Sequence, residues 1–160
     1  MTTSVERVVF DCNVYLQALT SPTGPAARLV EFAFNGTVSL FVSAHSLEEV
    51  ADVASRPYIA AKFRLDPAVV TKFITSVRGV ATYLDSVPRV YDFPRDPNDA
   101  HYVDLAVAVN ARLIVSRDKD LLSLRDTATP EGRDFAARFP ELDILTPPEA
   151  LKLLDPTSLP

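Results

Sequence analysis

The chain has no tryptophan, one methionine, one cysteine, two histidines and only four glycines in 160 residues. A lone Cys12 excludes an internal disulfide and fits a reducing compartment. So few glycines leave neither a G-x-G-x-x-G fingerprint nor a phosphate-cradling P-loop, which argues against a nucleotide cofactor. No apolar run approaches the roughly 18 residues a membrane span needs. The opening MTTSVERVVFD lacks the basic start and long apolar stretch of a signal peptide. These absences predict a cytoplasmic protein with no membrane association. His45 and His101 stand far apart without ligand spacing and are read as hydrogen-bonding helix residues. Cys12 is read as a small buried side chain. Basic residues are in deficit too: 16 Lys and Arg face 21 Asp and Glu, for a formal net charge of −5. That balance argues against a nucleic-acid binder with a basic footprint, unless the acids are themselves the site.

What is present is apolar material in an orderly pattern. The chain is 48 % hydrophobic and 23 % charged, with a mean hydropathy of +0.11. This predicts one folded domain over residues 1–160 rather than disorder. Short apolar runs at Val8–Phe10, Val38–Val42 and Leu113–Val115 read as strands buried on both faces, as in a parallel sheet. Leu142–Leu145 is a fourth candidate, interrupted by Asp143. Helical patterns lie between them at Pro25–Phe34, Ser43–Ser55, from Asp66 to about Leu84, Asp99–Asn110 and Pro147–Leu154. Residues 124–140 read as a polar loop carrying a short helix. The alternation predicts an α/β fold, a central parallel sheet of about four to five strands with helices on both faces.

Acids punctuate this frame. The stretch RDPNDAHYVDL sets Asp96, Asp99 and Asp104 at the entrance to the apolar run AVAVNARLIVS. Asp11 directly follows Val8–Phe10, Asp118 follows LIVSR, and Glu48 and Glu49 lie early in the helix after VSLFV. In open parallel sheets, ligands sit at the carboxyl ends of the strands. Each acid has a bland alternative. Asp11 caps a turn at NVYLQAL, Ser46 and Glu49 fit a capping box, DPND is turn chemistry, and Asp118 and Asp120 cap KDLLSL. Asp104 is read as solvated, salt-bridged or a further ligand. Convergence is another matter, because like charges meeting at a sheet edge repel by about 4 kcal/mol per close pair at an effective dielectric near 20. A hard divalent cation, Mg²⁺ or Mn²⁺, compensates such a cluster. Asn13 and Ser116 stand close enough in sequence to brace the carboxylates through an amide and a hydroxyl.

These segments, in order, resemble the PIN domain family of metal-dependent ribonucleases, and most closely the toxin-like (VapC-type) members of prokaryotic toxin–antitoxin systems. FDCNVYLQAL is similar to the family's opening D-T-N-V segment, with Cys12 in place of the commoner threonine. VSAHSLEEVADVASRP is similar to S-x-x-x-L-x-E-x-x-x-V-x-x-R-P, which selects Glu49 over Glu48. RDPNDAHYVDLAVAVNARLIVSRDKDLL is similar to the D-P-x-D helix, strand and S/T-x-D-K-D-L-L ending, and ILTPPEALKLL to the closing strand and helix. The resemblance implies a PIN-like three-layer sandwich with Asp11, Glu49, Asp99 and Asp118 as catalytic and metal-binding residues. Asp96, Asp120 and Asp104 form a second tier, with Asn13 and Ser116 in support. It further implies Mg²⁺ or Mn²⁺ as cofactor, RNA as substrate, a homodimer and a small antitoxin protein as partner. Two other readings fit parts of the pattern. A haloacid-dehalogenase-like phosphatase also opens on a strand and Asp, but needs a second Asp where Asn13 stands. A non-catalytic PIN-like binding module would have lost one of the acids, and all four are present.

Overall fold

The computed structural model describes residues 4–155 and 157. Residues 1–3, 156 and 158–160, the outer ends of the predicted 1–160 domain, lie outside the described residues.

Five strands form one wholly parallel sheet: β1 (Glu6–Phe10), β2 (Val38–Ser43), β3 (Thr82–Leu84), β4 (Leu113–Val115) and β5 (Asp143–Leu145). Their spatial order is β3-β2-β1-β4-β5. Val8 is the hinge of the register, opposite Leu40 on one side and Leu113 on the other. The chain therefore builds outward from β1 in one direction, then crosses over and builds outward in the other. Right-handed crossovers travelling in opposite directions place their helices on opposite faces of the sheet. The helices α1 (Cys12–Thr20), α2 (Pro25–Phe34), α3 (Ala44–Ser55), α4 (Pro57–Phe63) and α5 (Pro67–Val80) belong to the first half. The second half supplies α6 (Ala100–Ala108), α7 (Lys119–Ser123) and α8 (Pro130–Arg138), and α9 (Pro147–Leu154) closes the chain by packing against α2. Val8, Val9, Ile114 and Val115 are completely buried, as strands covered on both faces require.

Three expectations need correction. The helix expected to run from Asp66 to about Leu84 stops at Val80. Ala81 turns to φ −82°, ψ 157°, and Thr82–Leu84 joins the sheet beside Phe41–Ser43. The apolar spacing simply continues from helix into strand, so periodicity alone does not mark the break. The capping box at the start of α3 pairs Ser43 with Ser46, not Ser46 with Glu49. This frees Glu49 to sit in the middle of the helix. NVYLQAL is the body of a nine-residue helix rather than a turn, although Asp11 does cap it. Between Leu124 and Pro140 the polar stretch carries the helix expected there, the nine-residue α8, while α4 is a helix that the sequence pattern does not predict. Among the described residues no helix is long and apolar enough to cross a membrane.

Candidate metal centre

The order of the strands reverses between β1 and β4. That is the switch point of an open parallel sheet, where the crevice outside the strand ends can take a ligand. Asp11 leaves β1 there and Asp118 leaves β4, and the Asp11 amide donates to the carbonyl of Val115 at 3.0 Å. The Asp11 carboxylate is buried. Its Oδ1 accepts the Val14 amide at 3.2 Å, capping α1, and its Oδ2 accepts the hydroxyl of Ser116. The same hydroxyl accepts the Asp118 amide at 2.9 Å. Ser116 therefore ties the two strand-end acids together. Burial, with help from the Asp118 charge, pushes the Asp11 carboxyl up to about 6 despite these hydrogen bonds.

Asp118 caps α7, its Oδ1 accepting the amides of Asp120 at 2.7 Å and Leu121 at 3.2 Å. Facing it is the start of α6. A single 3-10 turn over Pro97–Asp99, capped by Asp96, swings Asp99 toward the sheet edge. One carboxylate oxygen each from Asp96, Asp99 and Asp118 lies within 4.8 Å of the others. Burial and then the charges of Asp118, Asp96, Glu49 and Asp11 push the Asp99 carboxyl up to about 8. The three other members of the expected quartet thus all act on Asp99. Cys12 lies among the same acids: burial, then Glu49, Asp11 and Asp99, push its thiol up to about 12, so it is an inert filler. No ion pair among the described residues neutralises Asp11, Asp96, Asp99 or Asp118. A crowd of oxygen donors without a basic partner suits a hard divalent cation.

The remaining candidates fall elsewhere. Among the described residues the Asn13 side-chain amide braces no carboxylate; it is exposed beside Gln17 and Arg117, and its backbone reaches Asp11. The Asp120 side chain, in the first turn of α7, joins no cluster of possible ligands among the described residues. Asp104 is buried, and its Oδ1 accepts the amides of Val90 and Tyr91, both at 2.9 Å. It anchors the irregular segment before α6 to that helix instead of joining the acids. Glu49 meets a partner the sequence did not suggest: its Oε2 is 2.7 Å from Nε2 of His101. The His101 ring stacks on His45 at 3.9 Å, and His45, Glu49 and His101 form a second group of possible ligands within 4.8 Å. The spacing of His45 and Glu49, one helical turn apart, was the available signal; the approach of α6 to α3 was not.

A doubly flanked parallel sheet with acids gathered at its switch point is the arrangement of the PIN class of α/β nuclease domains, whose members use divalent metals. Residues 7–120 match the family model described as PIN domain, and the chain belongs to that family. It is similar to an uncharacterised protein of Methanocaldococcus jannaschii, 25 % identical over 146 residues that cover 91 % of this chain and 90 % of that one. Among solved structures it is similar in fold to a chain of VapBC2 from Rickettsia felis bound to a DNA fragment from its promoter. That similarity has a TM-score of 0.52 at 14 % identity and covers 88 % of this chain and 98 % of the other.

Proposed function

We propose that this protein is a Mg²⁺- or Mn²⁺-dependent endoribonuclease acting in the cytoplasm as the toxin of a toxin–antitoxin pair. The observation that carries the reading is the meeting of Asp96, Asp99 and Asp118 within 4.8 Å, beside a buried Asp11, at the switch point of the sheet. In this reading Asp11, Glu49, Asp99 and Asp118 hold the cation, and Asp96 adds charge at the rim. When bound, the ion supplies a Lewis acid for phosphoryl oxygens and acidifies a water. The protein's own work is positional. Strand ends fix Asp11 and Asp118, the Ser116 hydroxyl sets their spacing, and the 3-10 turn delivers Asp99. A raised carboxyl at Asp99 gives a site that keeps a proton near neutral pH until a cation displaces it. The acids also explain how a net-acidic chain accepts RNA, since the ions reverse the local charge. The partner in the VapBC2 assembly supports a small antitoxin here. The reading includes a single domain over residues 1–160 and a homodimer.

The test is cleavage of single-stranded RNA with and without EDTA, using D11N, D99N and D118N variants checked for folding by circular dichroism. Cleavage should require Mg²⁺ or Mn²⁺ and fall at least about 100-fold in each variant, the scale on which a positioned catalytic group acts. Folded variants as active as wild type would refute the assignment, and cleavage indifferent to EDTA would refute the metal.

A further inference from the structure

We propose that His45, Glu49 and His101 form a second cation site, selective for a borderline dication such as Zn²⁺, which lies beside the Asp96–Asp99–Asp118 cluster and shares Glu49 with the site proposed there. His45 and Glu49 are four residues apart on α3, which sets both side chains on one helix face. His101, in the first turn of α6, completes the group from across the interface. One possible ligand atom from each lies within 4.8 Å of the others, and Glu49 Oε2 already approaches His101 Nε2 at 2.7 Å. A further observation points to a ligand. A cavity of about 270 Å³, with His45, His101, Arg89 and Asp85 in its lining, opens beside the rings.

The donor chemistry separates the two sites. Two imidazoles and one carboxylate are a three-ligand zinc set, with a fourth position left for water or an external group. Carboxylates alone suit Mg²⁺ and Mn²⁺, whereas imidazole favours zinc and its neighbours. Binding requires the exposed His45 ring to turn out of its stack with His101 and bring a nitrogen toward Glu49. Zinc held there draws Glu49 away from the acids, making zinc an antagonist of Mg²⁺-supported cleavage. That consequence rests on the ribonuclease reading; the binding itself does not.

The experiment is a calorimetric titration of the metal-stripped full chain with Zn²⁺ at about pH 7.5, where an ordinary imidazole is neutral. Excess Mg²⁺ is present to fill the acid cluster, and RNA is absent. D118N should bind one Zn²⁺ at least as tightly as wild type, because Mg²⁺ no longer competes for Glu49, while H45A and H101Q should each bind at least about tenfold more weakly. His45 is exposed, so H45A tests the site without threatening the fold. Co²⁺ in place of Zn²⁺ should give a visible ligand-field band in wild type that H45A removes. Zinc affinity unchanged in folded H45A, or abolished by D118N alone, overturns the proposal. Because no RNA is present, a failure here is distinct from a failure of the ribonuclease reading.

Discussion

At the residue scale the acids carry a cost that the metal-free protein should reveal through pH. Asp99 titrates near 8 in the fold and near 3.9 in an unfolded chain. Between those values the folded state holds a proton that the unfolded state has released. Its contribution to stability is therefore complete below about pH 4 and drains away as pH rises toward 8. Asp11, raised to about 6, adds to the lower part of that slope. The melting temperature of EDTA-treated protein should accordingly fall between pH 5 and pH 8. D99N should flatten most of the decline and melt above wild type at pH 8. An equal slope in the variant would show that Asp99 is not the strained group. Asp11 and Asp118 could be found from sequence because a strand end fixes an acid without knowledge of the rest of the fold. His101 could not, because its meeting with Glu49 depends on how α6 lies against α3. The burial of Asp104 was equally hidden, since its partners are backbone amides of a segment with no pattern of its own.

Elements explain most of what the sequence revealed and what it concealed. Strands β1, β2 and β4 are short, continuous apolar runs, legible because both of their faces are covered. The end of α5 was not legible, since Val77, Val80, Ala81 and Leu84 keep helical spacing after the backbone has already extended. Two glycines test the local account in opposite directions. Gly132 sits in α8 where an added Cβ would stand 1.9 Å from the Asp126 carbonyl oxygen. The turn from Asp126 into the helix is thus closed against that backbone, and G132A should cost about 1–3 kcal/mol through forced displacement. Gly79, near the end of α5, has nothing within 4 Å of its would-be Cβ. There G79A should gain up to about 1 kcal/mol from helix propensity and lost unfolded-state entropy. Urea denaturation of both variants measures the difference. Equal and small effects would mean that α8 accommodates the side chain by shifting as a unit.

On the scale of the whole molecule, the switch between the two halves of the sheet is both the fold's centre and the place where its charge is least tolerable. The chain carries a net charge of −5, and part of it is concentrated where β1 and β4 end. A cation that binds there favours the folded state alone, because the unfolded chain holds Asp96, Asp99 and Asp118 in no common geometry. The linkage is quantitative: a ligand at 100 times its dissociation constant adds about 2.7 kcal/mol. For a chain of this length that corresponds to a rise in melting temperature of roughly 5–10 °C. Saturating Mn²⁺ should produce such a rise in wild type at pH 8, and less of it at pH 5, where protons compete for the same carboxylates. D99N and D118N should lose most of the shift, whereas H45A should keep it. A Mn²⁺ shift that survives D99N and D118N but vanishes in H45A would move the ion from the switch point to the histidines, leaving the acids there as caps for α1, α7 and the 3-10 turn.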